Sequence, residues 1–314
     1  MKSLSSDLSG VINIYKEKGF TSHDVVNIVR KSLNRVKTGH TGTLDPDAEG
    51  VLPICIGKST KLADYIAADI KEYKAVITLG ITTTTEDISG DIIEKKTVDK
   101  LEHDVIKAIN SFVGEYNQKP PMYSAVKVNG KKLYELAREG KEIERKTRLI
   151  TIYNISQIRK LDINRYEFYV LCSKGTYIRT LCKDIGEKLG CGGCMSELTR
   201  TRSGSFYLKD SLKIDEFKTI VEKGSIEDII LTPDKILPSL KKVIVSNKAE
   251  KYLYNGNMIN KEFINIDVLE NENLMVYDEY NKLIGIYIAL EDFIKPVTML
   301  IWGDNYGSIW NSWF

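Results

Sequence analysis

Between residues 39 and 53 the chain reads Gly39-His40-Thr41-Gly42-Thr43-Leu44-Asp45-Pro46-Asp47-Ala48-Glu49-Gly50-Val51-Leu52-Pro53. Glycines at 39, 42 and 50 and prolines at 46 and 53 rule out a helix here and break up any long strand. What remains is a tight, mostly non-regular path with a carboxylate, Asp45, at its centre and an imidazole, His40, beside it. Rigid loops on a scaffold are where reactive groups tend to be presented, because glycine permits close backbone approach and proline removes freedom. The same residues also suit a plain turn, since Asp-Pro is a common turn former and Thr-Gly-Thr an ordinary loop.

The elements around this loop set the fold class. Val11 to Tyr15 reads as a short strand, and Thr21-Ser22-His23-Asp24 caps a helix with Val25, Val26, Val29 and Leu33 on one face. After the loop, Leu52 to Ile56 has a buried-strand pattern, Thr60 to Ala68 is helical and Tyr73 to Leu79 alternates as a half-buried strand. Thr82 to Asp91 has no buried face and is expected to be a loop. Val98 to Val113 is helical, Pro120-Pro121 breaks regular structure, and Tyr123 to Val128 is expected as a strand turning at Asn129-Gly130 into a short helix, Leu133 to Arg138. Ile150 to Ile158 and Tyr166 to Cys172 form a strand pair, and Ile178, Leu181, Ile185 and Leu189 mark an amphipathic helix ended by Gly190. These elements predict an α+β unit with a mixed, largely antiparallel sheet flanked by helices. A mixed segment with Pro233 and Pro238 follows, and from Val243 short strands, including Leu274 to Asp278 and Leu283 to Ile288, predict a small all-β unit. The expected organisation is 1–209, 210–240 as a connection, 241–303, and a tail 304–314 whose Trp310, Trp313 and Phe314 lack periodicity.

With 42% hydrophobic and 28% charged residues over 314, the composition is that of a soluble globular chain, and no run of eighteen apolar residues occurs. The first residues lack an apolar signal core and the five cysteines are odd in number, so a reduced, cytoplasmic setting is expected. Cys191-Gly192-Gly193-Cys194 has no second pair and the three histidines are scattered, so it reads as a helix-ending turn and no metal site is expected. The net charge of +2 does not point to nucleic acid. Its distribution is more informative. From Lys119 to Arg148, Lys127, Lys131, Lys132, Arg138, Lys141, Arg145 and Lys146 outnumber Glu135, Glu139, Glu142 and Glu144, with Tyr123 and Tyr134 interleaved. That pattern fits a phosphate-gripping arm, and equally a solvated helix face with Glu/Lys pairs.

The loop from Gly39 to Pro53 resembles the signature of the TruB-type tRNA pseudouridine synthases, which they share with their guide-RNA-dependent relatives. Three more blocks agree in order: Tyr73 opening its strand, Pro120-Pro121-Met122-Tyr123-Ser124-Ala125 with Asn129-Gly130-Lys131-Lys132-Leu133-Tyr134, and Lys174-Gly175-Thr176-Tyr177-Ile178-Arg179 followed by Leu198-Thr199-Arg200-Thr201-Arg202. The resemblance covers residues 10 to 206 closely. One departure stands out: the family usually has Asp-Lys-Pro after the first strand, whereas here Tyr15-Lys16-Glu17 lacks the proline.

The resemblance implies isomerisation of the T-loop uridine 55 of tRNA to pseudouridine, without cofactor or metal, by a cytoplasmic protein, expected to be a monomer, that needs no guide RNA, protein partner or membrane. Asp45 is implied as the nucleophile, attacking the sugar C1′ or the base C6. Arg179 is implied as the cation that keeps Asp45 ionised against the desolvation that raises a buried carboxyl's pKa. Tyr73 and Tyr177 are implied as substrate-contacting rings, stacking on uracil or moving a proton, Leu198 as an apolar wall, and His40 as support for the extruded nucleotide. Asp87 lies where the family has another acidic residue and is a further candidate, as are Lys131 and Lys132 on the arm. The C-terminal unit resembles the family's PUA-like RNA-binding barrel. A reading of another class, an RNA-binding or tRNA-folding protein, needs the arm and barrel but not Asp45. A carboxylate glycosidase would need a second carboxylate such as Asp47 or Glu49, yet the uracil is retained and no such partner is required.

Overall fold

The computed structural model describes residues 8–67, 70–128, 130–141 and 143–301, the side chains of Lys127 and Lys132 excepted. The aromatic tail 304–314 and Asn129 of the expected turn lie outside them. The chain opens with β1 (Gly10–Lys16) and α1 (Ser22–Ser32). The helix starts at a capping box: the Thr21 hydroxyl accepts from the Asp24 amide at 3.0 Å and the Asp24 carboxylate from the Thr21 amide at 2.8 Å. There follow β2 (Thr38–His40), β3 (Glu49–Ile56), a 3-10 turn, α2 (Ala63–Ile66), β4 (Ile70–Leu79), β5 (Ile81–Thr83), β6 (Ile92–Lys95), α3 (Glu102–Asn110) and β7 (Gly114–Gln118). A small hairpin, β8 (Lys127–Val128) and β9 (Lys131–Lys132), leads into α4 (Leu133–Arg138). Then come β10 (Arg148–Lys160), β11 (Arg165–Ser173), α5 (Ile178–Lys188), β12 (Gly193–Ser203) and β13 (Phe206–Tyr207).

The main sheet runs β1-β3-β12-β4-β11-β10-β7, with β2 on β3 and β13 on β12. Every pairing in it is antiparallel except β3 with β12, which run parallel through Thr199 opposite Glu49 and Arg200 opposite Gly50. This is the expected mixed, largely antiparallel sheet. Its β4 and β11 faces are buried by α3 and α5, through Val105, Ile109, Ile178, Leu181 and Ile185 against Ala75, Ile77, Phe168 and Val170. α1 covers β1 and β3.

The segment after β13 is not a free tether. α6 (Ile214–Lys223) packs Ile214 and Phe217 beside α1, and the chain pairs with the open edge of β1 through Leu212 and Leu231 before α7 (Pro233–Ile236). An otherwise exposed sheet edge is thereby covered. The C-terminal part holds β14 (Lys241–Ile244), α8 (Glu250–Tyr254), β15 (Ile259–Asn260), β16 (Asn273–Tyr277), β17 (Leu283–Ala289) and β18 (Phe293–Met299). They form a five-stranded sheet, β14-β16-β17-β18-β15. Met275, Tyr277, Ile286 and Leu300 pack against Val11, Val51 and Cys55, so this sheet rests on the main one. No helix among the described residues is long and apolar enough to cross a membrane.

Three local expectations are corrected. The run expected as a strand from Tyr123 to Val128 is extended only at Lys127–Val128, because residues 122–125 bend and the Tyr123 carbonyl is taken by Arg179 at 2.8 Å. The run Thr82 to Asp91 is not wholly an unburied loop: β5 reaches Thr83, which is 4% exposed, and the turn beyond docks on β12 through Ile88 and Met195. Its polarity concealed this, since the burial is of backbone and hydroxyls. The Thr60 to Ala68 helix is likewise reduced to a 3-10 turn and the four residues of α2.

Two glycines decide how the layers meet. A Cβ on Gly50, at φ +106°, would lie 2.3 Å from the Arg200 carbonyl oxygen where β3 meets β12. A Cβ on Gly186 would lie 2.2 Å from the Gly193 nitrogen, where α5 turns back onto β12. In both cases the obstacle is backbone, which cannot rotate away. Gly186→Ala is expected to cost about 3 kcal/mol of unfolding free energy, measured by urea denaturation, and a loss below about 1 kcal/mol would show that helix and strand separate freely.

Candidate active site

The loop that carries Asp45 has its backbone polar groups tied to the rest of the chain. The Thr41 amide donates to the Pro53 carbonyl at 3.2 Å. The Ser22 hydroxyl, from the first turn of α1, donates to the Leu44 carbonyl at 3.0 Å and accepts the Leu44 amide at 2.8 Å. The Pro46 carbonyl accepts from the Gly19 amide at 2.9 Å and from the Lys16 ammonium at 3.1 Å. The missing proline of the Tyr15-Lys16-Glu17 turn is therefore offset by direct bonds from that turn to the loop. Leu44 and Ala48, 4% and 1% exposed, pin the loop into the core cluster that also contains Tyr73 and Leu198.

Asp45 is held by Arg179. The Nε of Arg179 donates to Oδ2 at 3.0 Å and its Nη2 to Oδ1 at 3.4 Å, a side-on bidentate pair. Arg179 lies in the first turn of α5, 7% exposed in its side chain, whereas Asp45 keeps 40% of its side chain open. The guanidinium is fixed by two carbonyls, Thr85 at 3.1 Å and Tyr123 at 2.8 Å. Asp87 stands 3.9 Å from the Arg179 Nε, and its other oxygen accepts from the Thr85 and Ser89 hydroxyls and the Ser89 amide. Desolvation by the surrounding protein pushes the Asp45 pKa above the usual carboxylate value. Arg179 and Lys16 pull it down, while Asp87 pushes it up. The partial exposure of Asp45 tempers the desolvation, so the cation keeps a large share in setting its charge.

Cross-strand register gathers the next residues. On β4 and β12, Tyr73 is opposite Arg200 and Ala75 opposite Leu198, so Tyr73, Leu198 and Arg200 share one face beneath the loop. Tyr73 is 9% and Leu198 8% exposed. Burial raises the Tyr73 pKa and the Arg200 cation lowers it. Tyr177 caps α5, and its backbone is gripped at both ends by the buried Gln118 amide, which accepts from the Tyr177 N–H at 2.8 Å and donates to its carbonyl at 3.0 Å. His40, half-buried at the end of β2, accepts the Gly42 amide on Nδ1 at 3.2 Å. Burial, then the Arg200 and His23 charges, lower its pKa, so the ring is neutral near pH 7 with its proton on Nε2.

Asp45, Arg179, Asp87, Tyr73 and Leu198 thus converge, and Tyr177 lies two residues before Arg179. Lys131 lies elsewhere, on β9, where its ammonium is 3.8 Å from Glu139, which Lys141 also engages at 2.8 Å. Cys191 and Cys194 are buried free thiols. Sequence reasoning passed over four groups that build the site: Lys16, Ser22, Gln118 and Arg200. Lys16 is fully buried and its pKa is lowered by burial to about 8, against the pull of Asp45, Asp47 and Glu49. Arg200 was visible as a signal, because it follows Leu198 by two residues in the same strand.

A buried arginine gripping a loop carboxylate above a mixed, largely antiparallel sheet fits the pseudouridine synthase fold that the resemblance implies. Solved structures agree: an H/ACA ribonucleoprotein bound to a substrate RNA containing 2′-deoxyuridine includes a chain that matches with a TM-score of 0.72 and 25% identity, over 96% of this chain and 88% of that one. A Cbf5–Nop10–Gar1 complex matches with a TM-score of 0.71 and 27% identity, over 93% and 85%. Residues 30–178 match the model of the TruB family pseudouridylate synthase N-terminal domain, and residues 179–245 that of the tRNA pseudouridylate synthase B C-terminal domain. Proteins named tRNA pseudouridine synthase B are 52% identical in Alkaliphilus oremlandii, over 93% of this chain and 99% of the relative, and 47% identical in Clostridium novyi, over 94% and 100%. The chain belongs to the TruB family of pseudouridylate synthases.

The balance around Asp45 has a pH consequence. A carboxyl whose pKa is raised takes up its proton at higher pH than a free aspartate, whose value is about 3.9. Activity that needs the carboxylate is therefore expected to fall on an acid limb displaced above that value. Arg179→Gln should move the limb further up and Asp87→Asn should move it down, read from kcat/KM between about pH 4 and 8. A limb unmoved by both substitutions would detach the profile from Asp45.

Proposed function

We propose that this TruB-family enzyme isomerises the T-loop uridine of tRNA conventionally numbered 55, with Asp45 as the nucleophile acting on a flipped-out nucleotide. The observation that carries this reading is the bidentate Arg179–Asp45 pair, in which the arginine is buried and the carboxylate remains partly open. A carboxylate anchored on one side and accessible on the other can add to the sugar C1′ or to the base C6. By either route the N1–C1′ bond breaks, the uracil turns, the C5–C1′ bond forms, C5 loses its proton and N1 gains one. Atoms and electrons balance within the nucleotide, so the reaction calls for no cofactor.

The surrounding residues take roles that their chemistry supports. Tyr73 offers a buried ring beside the loop, and its hydroxyl is a candidate for moving the C5 proton. Leu198 gives the base an apolar wall and Tyr177 a second ring. Extruding a base costs a few kcal/mol of stacking, which the neutral His40 ring would partly replace. Phosphate contacts fall to the arm, 118–148, and to the C-terminal sheet, which together let one chain, as a monomer, engage the T-arm without guide RNA or partner protein.

Asp45→Asn is expected to reduce tritium release from C5-labelled uridine in tRNA by at least about a thousandfold, while tRNA affinity stays within about tenfold. Turnover within tenfold of the unsubstituted protein would remove Asp45 from the nucleophile's role. For the arm, Lys131→Glu with Lys132→Glu is expected to weaken tRNA binding about tenfold and to flatten its log–log salt dependence by about 2. Unchanged affinity at low salt would make the arm a solvated hairpin.

A further inference from the structure

We propose that Arg200 is a positioning residue: its guanidinium locks the main chain bearing Asp45 and the phenol of Tyr73 into one fixed arrangement. This rests on the reading of Asp45 given above. Arg200 is 1% exposed. Its Nη2 donates to the Gly42 carbonyl at 3.1 Å, its Nη1 reaches the Thr43 carbonyl at 3.5 Å, and its Nε donates to the Val51 carbonyl at 2.7 Å. One planar group therefore ties together the loop's two arms, before and after Asp45. The same guanidinium faces the Tyr73 hydroxyl, its cross-strand neighbour in the register of β4 and β12.

Among the described residues no carboxylate forms an ion pair with Arg200. A buried cation without an anion is disfavoured relative to a methionine or leucine of similar volume, so packing does not explain it. What an apolar residue cannot supply is a rigid fork of donors for three carbonyls, set beside the cross-strand phenol. Gly50 completes the device: without a side chain, β3 comes up against the Arg200 backbone and brings the Val51 carbonyl to Nε. The groups that face the Tyr73 phenol are Arg200 from β12, Cys172 from β11 and Asp45 from the loop. Arg200 thus sets the relation between the two groups that act on the uridine without touching it.

The test is a double-mutant cycle of Arg200→Lys and Tyr73→Phe on full-length protein with tRNA, with Arg200→Gln in parallel and amide exchange on each protein. Arg200→Lys is expected to lower kcat about thirtyfold with KM within about threefold, and Arg200→Gln at least as much. In the Tyr73→Phe background the further loss should shrink below about fivefold, because one arrangement is already broken. The Thr41 and Leu44 amides should exchange at least about tenfold faster, while those of β1 stay unchanged. The role is overturned by an Arg200→Lys kcat within threefold of the unsubstituted protein, or by equal losses in both backgrounds with unchanged loop exchange. It is equally overturned if neither Arg200 variant unfolds cooperatively, since Arg200 would then be a stability residue. Absence of tritium release from the unsubstituted protein would instead overturn the proposed function, and loop exchange would still decide the positioning role.

Discussion

The interaction on which the site depends is the anchoring of one irregular loop by groups that are distant in sequence. A backbone without regular structure must find partners for its amides and carbonyls, or lose free energy for each one buried alone. Here the partners are Ser22 from a helix start, Lys16 from the end of β1, Gly19 from the turn after it, Pro53 from β3 and Arg200 from β12. Leu44 and Ala48 add apolar anchors below. The carboxylate is consequently displayed by a frame whose carbonyls at Gly42, Leu44 and Pro46 and amides at Thr41 and Leu44 are already committed.

Charge follows the same geometry. Lys16, Arg179 and Arg200 are all buried beside a loop that carries Asp45 and Asp47. Two of these cations, Lys16 and Arg200, are spent largely on carbonyls, and only Arg179 grips the Asp45 carboxylate directly. Burial pushes the Lys16 ammonium down to about 8, whereas a buried guanidinium keeps its charge, and it is an arginine that grips the Asp45 carboxylate. Asp87 adds an opposing charge from the turn beyond β5, and that turn is docked by backbone bonds to Met195 on β12. The carboxylate's state thus reflects β1, β12, α5 and the Thr-rich turn together.

Much of this was legible in the chain. Periodicity and caps located α1, α5 and the β10–β11 pair, and the glycine–proline bracket located the loop. The resemblance supplied Asp45, Arg179, Tyr73, Tyr177 and Leu198 as candidates, and the fold places Asp45, Arg179, Tyr73 and Leu198 around one point. Legibility failed where backbone, not side-chain pattern, decides the conformation. Residues 122–125 look like a strand by composition but bend, since Arg179 claims a carbonyl there. The segment after β13 looks like a connection but seals the edge of β1 through Leu212 and Leu231.

By itself the sequence determined the period of each element, the stiffness of the loop and the chemical type of each group in it, because these depend on neighbours within a few positions. Only the tertiary structure decided that Arg200 lies beneath that loop. Nothing local distinguishes its guanidinium from that of Arg202 two residues on: one is 1% exposed under Gly42 and Val51, while the other lies over the Tyr207 ring. The difference comes from the short parallel pairing of β3 with β12, a contact between residues about 150 positions apart, as Thr199 and Glu49 are. Long-range register of that kind is fixed by how the whole sheet closes.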